Sequence, residues 1–108
     1  MKMVKAIVRP EKVSDILVAL VENKIYAATR SSVLGRGKQQ GLKVGNIHYE
    51  EIPKECISIV VEDEQVDLVV SVISNAAKTG KEGAYGDGKI FVLPVEMAVT
   101  ISSGEAVL

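Results

Sequence analysis

Lys2-Met3-Val4-Lys5-Ala6-Ile7-Val8-Arg9-Pro10 is the stretch on which the reading of the fold turns. Val4, Ala6 and Val8 share one side at the period of two, as in a strand with a buried face. Pro10 closes it, having no N–H to give a ladder. The period then changes. Val13, Ile16, Leu17 and Leu20 fall at helical spacing and predict a helix to about Asn23, with Ser14 and Asp15 placed to cap its start. A second strand over 27–34 carries Thr29, Ser31 and Val33.

The same change of period recurs downstream. Ile57, Ile59 and Val61 mark a strand over 56–61, and Glu62-Asp63-Glu64 supplies acidic groups suited to a helix start. Val66, Val69, Val70, Ile73, Ala76 and Ala77 then form a helical stripe, and a fourth strand spans about 89–93. Val95, Met97, Val99 and Ile101 alternate, which predicts a further edge strand. This order predicts one α+β domain over 1–108, a ferredoxin-like βαββαβ sandwich with a long loop between strands two and three. Both helices cover one sheet face. Covering the other by self-association predicts an oligomer.

The 108 residues carry a formal net charge of −1, no tryptophan and four aromatic residues, Tyr26, Tyr49, Tyr85 and Phe91. That composition argues against a nucleic-acid binder, which needs a basic excess or stacking platforms. Tyr26 and Tyr85 read as interface residues, and Lys2, Lys5 and Arg9 as solvated strand charges. Cys56 is the only cysteine, which excludes an internal disulfide, and its apolar run reads as burial. With no signal-peptide core and no apolar run of spanning length, the expected location is the cytoplasm, not a membrane.

Two glycine-rich basic loops carry the chemistry. One is Gly35-Arg36-Gly37-Lys38-Gln39-Gln40-Gly41; the other, over about 79–89, includes Gly80-Lys81-Glu82-Gly83-Ala84-Tyr85-Gly86-Asp87-Gly88-Lys89. Glycine lets backbone N–H groups converge on an anion, and the lysines add charge. Mobile surface turns are the plain alternative, with Asp87-Gly88 at the tip of a β-turn. The second loop has the glycine-to-lysine spacing of a Walker A motif. However, Ile90 stands where the magnesium-binding hydroxyl belongs, and a strand follows where a helix is needed. His48 is the only histidine, so no nucleophile–base–acid set assembles and an enzyme is not expected.

The chain resembles the PII nitrogen-regulatory family over nearly its whole length. The likeness is carried by Lys5-Ala6-Ile7-Val8-Arg9-Pro10, Gly35-Arg36-Gly37-Lys38-Gln39, Ile52-Pro53-Lys54, Ile59-Val60-Val61, Thr79-Gly80-Lys81 and Ser103-Gly104-Glu105. Gly86-Asp87-Gly88-Lys89-Ile90-Phe91-Val92 is the most specific element. Val44 to Lys54 resembles the shortened loop of the branch linked to nitrogen fixation in archaea and anaerobic bacteria.

The resemblance implies a non-enzymatic homotrimer with nucleotide sites between subunits. It implies binding of ATP, ADP or AMP, with magnesium and 2-oxoglutarate, and a T-loop at about 38–52 that docks on a nitrogen-metabolism protein such as nitrogenase. A paralogous PII subunit can share that task. Thr29 and Gly35 correspond to the adenine side, and Gly37 and Lys38 to further cofactor-binding positions, Lys38 standing where the family has a phosphate-contacting arginine. Gln39 corresponds to the residue that holds magnesium and 2-oxoglutarate, Lys54 to the oxoacid partner, and Gly86, Asp87, Gly88 and Lys89 to the phosphate cradle.

The chain departs from the family pattern in three places. Thr100 and Ser102 replace two arginines, and with them go bidentate phosphate contacts. The second loop is longer by roughly three residues around Glu82 to Tyr85, and Glu82 repels phosphate if it points inward. The T-loop lacks the uridylylation pattern, Tyr49 being offset. Two readings stay open: a working nucleotide and 2-oxoglutarate sensor, or a divergent PII-like trimer that has lost ATP and 2-oxoglutarate sensing and serves as an interaction module.

Overall fold

The computed structural model describes residues 1–36 and 51–108. Strand β1 (Lys2–Val8) leads through a 3-10 turn at Pro10–Lys12 into helix α1 (Val13–Glu22). Strands β2 (Thr29–Gly35) and β3 (Ile52–Val61) follow, then a 3-10 turn at Asp63–Gln65, helix α2 (Val66–Ala77) and strand β4 (Gly88–Pro94). The strands form one sheet in the order β2-β3-β1-β4, every neighbouring pair antiparallel. This is the split β-α-β arrangement expected from the alternation of periods.

Both helices pack on one sheet face. Val4, Ala6 and Val8 of β1 and Ile57, Ile59 and Val61 of β3 meet Val13, Ile16 and Leu20 of α1 and Val69, Ile73 and Ala77 of α2, and all are buried. Leu17, Val66, Val70 and Ala76, on the expected stripes, are partly buried at the margins of that core. Burying such side chains stabilises by about 1.5–3 kcal/mol each, which overrides the weak helix propensity of the valines in α2.

Three expectations are corrected. β3 starts at Ile52, not Cys56, where the expected loop at about 38–52 ends; residues 38–50 of that loop, with His48 and Tyr49, lie outside the described residues. The extra strand length comes from the hairpin ladder, which pairs Ser32 with Glu55, Val33 with Lys54 and Leu34 with Pro53. Glu55 is buried there and accepts from Arg30 Nη2 at 2.9 Å, an ion pair across two strands that local composition does not announce. Second, the apolar alternation after Pro94 does not form a strand: 95–100 join no ladder of the described residues, and Val95 N–H donating to the Met1 carbonyl is the last link to the sheet. Pro94 and the lack of a free neighbouring strand explain why alternation alone was not enough. Third, neither Ser14 nor Asp15 caps α1, since the helix grows directly from the 3-10 turn led by Pro10.

The face turned away from the helices is open in the single chain. The register places Met3, Lys5 and Ile7 beside Leu93, Phe91 and Lys89 there, with Cys56 and Ser58 on the inner strand. Phe91 and Leu93 are 45% and 42% exposed, so this face still carries apolar surface in contact with water. Cys56 is buried and free, as read from the sequence.

β4 starts by pressing its backbone onto β1. Gly88 has φ +118°, and a Cβ there would lie 1.9 Å from the Ile7 carbonyl oxygen. Gly80 also has positive φ, +67°, but nothing lies within 4 Å of its Cβ position. Gly88→Ala is therefore expected to cost about 3 kcal/mol or more through strain and forced backbone movement, and Gly80→Ala about 1 kcal/mol. Urea unfolding of the two variants checks the difference; equal losses would contradict the close approach.

Candidate functional site

The second glycine-rich loop is built around one carboxylate. Asp87 Oδ2 accepts from the Thr79 N–H at 3.0 Å and the Ala84 N–H at 2.8 Å. Asp87 Oδ1 accepts from the Thr79 hydroxyl at 2.6 Å and from Arg9 Nε at 3.1 Å. Arg9 reaches further along the loop and donates through Nη2 to the Tyr85 carbonyl at 2.7 Å. Lys54 Nζ donates to the Gly86 carbonyl. The loop is thus fixed at its base by Thr79 and along its length by cations from β3 and from just beyond β1.

These contacts set the charge states. The Thr79 hydroxyl and N–H, followed by the Ala84 N–H and Arg9, hold the Asp87 carboxyl far below the usual carboxylate range. Burial, then the neighbouring Arg9 charge, lowers the Lys54 ammonium from its ordinary value, with Glu11 and Asp87 opposing. Arg9 is thereby corrected from a solvated strand charge to a part-buried loop anchor. Its partners lie 76 and 78 positions away, so no local signal reveals them. Thr79 carried a signal, since it opens the quoted Thr79-Gly80-Lys81 element, but nothing in the sequence tied it to Asp87.

Below this loop, between it, β4 and the C-terminal half of α2, lies a cleft of about 680 Å³. Val8, Ile73, Ala77 and Ile90 give it an apolar floor, and Ser74, Lys78, Glu82 and Asp87 bring polar groups to its walls; Lys89 borders it at the start of β4, on the register position that faces the other side of the sheet. Gly83 has φ +80°, and a Cβ there would lie 3.2 Å from Asp87 Oδ2 and 3.4 Å from Lys78 Cγ, so the loop packs tightly over the Lys78 stem. The size and the apolar floor with a few convergent polar groups suit a small-molecule ligand.

The residues singled out from the sequence divide into two groups. Asp87, Gly88 and Lys89 line the cleft, with Gly86 and Lys54 joined beside it by their hydrogen bond. Thr29 and Gly35 are the first and last residues of β2, paired with Ser58 and Ile52. β2 and β4 are opposite edges of the sheet, about 14 Å apart at the usual strand spacing, and two strands separate them. Within one copy, however, Gly35 lies beside the Lys54 side chain, its Cβ position 3.6 Å from Lys54 Cγ, and so shares the end of the sheet where Lys54 meets Gly86; Thr29, at the other end of β2, stays apart. Gly37, Lys38 and Gln39 lie outside the described residues. Among the described residues there is no group of three or more histidine, cysteine, aspartate or glutamate side chains placed to hold a metal. Tyr26 and Tyr85 are 71% and 87% exposed.

Because the folded Asp87 titrates below its unfolded value of about 3.9, its contribution is fully present above pH 4 and is lost as pH falls through the folded value. Between pH 6 and pH 2 the unmodified protein should lose more stability than Asp87→Asn does. Denaturant midpoints across that range check this, and parallel curves would remove Asp87 from its place at the centre of the loop.

The family model described as nitrogen regulatory protein P-II matches residues 1–105. A protein of Methanothermococcus thermolithotrophicus named nitrogen fixation nifHD region GlnB-like protein 1 is 54% identical over 106 residues, 97% of each chain. Nitrogen fixation nifHD2 region GlnB-like protein 1 of Methanosarcina barkeri is 51% identical over 105 residues, again 97% of each. The nitrogen regulatory protein P-II of Microchaete diplosiphon is 45% identical, covering 97% of this chain and 95% of its own. The chain is thus a regulatory signalling protein rather than an enzyme: it belongs to the nitrogen regulatory protein P-II family.

Proposed function

We propose that this protein is a cytoplasmic PII-type sensor that assembles as a homotrimer, binds an adenine nucleotide between subunits and regulates a nitrogen-metabolism protein. The observation that carries the reading is that one copy gathers Gly35, Lys54 and the loop at one end of the sheet but leaves Thr29 apart at the other end of the β2 edge. A neighbouring copy that set its β2 edge, with Thr29, against the loop and Lys89 would complete one site per interface. Threefold closure would give three equivalent sites. The open face, with Phe91 and Leu93 exposed, supplies apolar surface for such an assembly. That no helix among the described residues is long and apolar enough to cross a membrane is compatible with the proposed location.

In this reading Lys89 and the N–H groups of Gly86 and Gly88 receive phosphate oxygens, while Asp87 shapes the cradle without touching the anion. Thr29 from the neighbouring copy and Gly35 from the loop-bearing copy meet the adenine. Lys54 receives the carboxylate of 2-oxoglutarate, and Gln39 holds magnesium with that ligand. The glycines and lysines around the cleft fit a phosphorylated ligand; the magnesium position rests on Gln39 alone. Residues 38–52 dock on the partner. The names of the methanogen relatives point to the nitrogen-fixation system, with nitrogenase as the proposed target and a paralogous PII subunit as a possible companion.

A second reading is favoured by Thr100 and Ser102. Thr100 closes a turn in which its N–H meets the Glu105 carbonyl at 2.9 Å and its carbonyl meets the Gly104 N–H at 2.7 Å, leaving only short neutral side chains at both positions. In this reading the trimer persists as an interaction module without ATP or 2-oxoglutarate sensing.

Native mass measurement and nucleotide titration test the proposal together. The expected particle is three times 11.6 kDa. Lys89→Ala should weaken nucleotide binding at least roughly tenfold by removing a charge-assisted contact. Gly35 lacks positive φ, and its Cβ position meets only Lys54 Cγ at an ordinary 3.6 Å, so Gly35→Ala should weaken binding without lowering the melting temperature. A monomer that binds no nucleotide would overturn the reading.

A further inference from the structure

A second, smaller cleft of about 270 Å³ lies between Pro10, at the 3-10 turn leading into α1, and the paired ends of β2 and β3. Pro10, Leu34 and Pro53 give it apolar walls, and Ser32 and Glu55 are polar residues of its lining. The register pairs Ser32 with Glu55, Leu34 with Pro53 and Glu55 with Val8, so these side chains share the sheet face that carries the helices. Glu55 is only 6% exposed. Its Oε1 accepts from Arg30 Nη2 at 2.9 Å, whereas Oε2, also removed from solvent, has no donor among the described residues. A buried carboxylate oxygen without a donor has lost its hydration and received nothing in exchange, a state that native proteins seldom leave unfilled.

The surroundings select the missing donor. Arg30 already neutralises Glu55, and Lys54 adds a second positive charge to the lining, its Nζ donating to the Gly86 carbonyl. A further cation would enter a region that is positive on balance, so the donor is an uncharged group. Oε2 takes one proton, and the Ser32 hydroxyl has no hydrogen-bond partner among the described residues. A hydroxyl gives one proton and accepts another, which matches both. A carboxamide would bring a second N–H with no acceptor, and an indole could accept nothing from Ser32. The cleft is also smaller than the roughly 300 Å³ at which small-molecule sites begin, which suits a single inserted side chain.

We propose that this cleft takes a tyrosine side chain of a partner protein. The ring lies against Pro10, Leu34 and Pro53, and the hydroxyl donates to Glu55 Oε2 and accepts from Ser32. Tyrosine joins a rigid apolar body to one polar tip, the combination that anchors protein interfaces. Nucleotide binding is not required for this contact.

The test is NMR titration of the whole protein with N-acetyltyrosinamide, N-acetylphenylalaninamide and N-acetyllysinamide, followed at the amide signals of Ser32, Leu34 and Glu55. The tyrosine compound should bind at least roughly tenfold more tightly than the phenylalanine compound, from which it differs by the hydroxyl alone. In Glu55→Gln the two affinities should come within about twofold of each other. Ser32→Ala, at an exposed position, leaves the buried ion pair in place. It should weaken tyrosine binding by roughly threefold and leave the phenylalanine compound unchanged. Equal affinities for the two aromatic compounds, tighter binding of the lysine compound, or no saturable shift with any of the three would overturn the proposal.

Discussion

The Asp87 carboxylate is the point on which the functional end of this molecule depends. It gathers Thr79 from the end of α2, Ala84 from the loop and Arg9 from just beyond β1. Hydrogen bonds to an ionised carboxylate are stronger than neutral ones, and several converging on one group make a rigid turn from a glycine-rich segment. Without them, a loop with glycines at 80, 83, 86 and 88 would have little reason to hold one shape. With them, its walls, the Lys78 stem and the start of β4 are placed together. Gly88 completes the constraint by letting β4 lie closer to β1 than any side chain permits.

From that constraint follows the division of labour in the sheet. The helix-covered face is a closed apolar core that needs no partner. Gly35, Lys54 and the loop gather at one end of the sheet, and the face without helices keeps Phe91 and Leu93 in water. A small α+β domain gains stability by burying such a face against copies of itself, and in the proposed trimer the same step brings a β2 edge to each loop. Stability and ligand binding would then depend on one interface.

The core was legible because its signals are local and periodic: Val4-Ala6-Val8, Ile57-Ile59-Val61 and the two helical stripes each announce a face within a few residues. Where pairing depends on distant residues, legibility ended. Pro53, Lys54 and Glu55 look unlike a strand, yet the ladder with β2 and the Arg30 ion pair make them one. Val95 to Ile101 look like a strand and form none, because alternation supplies a face and not a neighbour. In the site, the residue types of the loop were visible as an anion-binding pattern. The organising role of Asp87 was not, since the same Asp-Gly pair reads as a turn tip, a phosphate cradle or a hub according to what surrounds it. Arg9, 78 positions from Asp87, could be identified only from the fold.

The most direct test of the account is whether two defective chains complement each other. Thr29→Asp damages the β2 edge, and Lys89→Ala damages the loop. Each protein should bind nucleotide poorly alone. After the two are unfolded together in equal amounts and refolded, random assembly into closed rings should restore about one interface in four, because an intact loop from one variant then meets an intact edge from the other. Recovery of nucleotide binding to about a quarter of the unmodified level is the predicted result. Mixed assemblies that recover none would contradict the account and confine the site to a single chain.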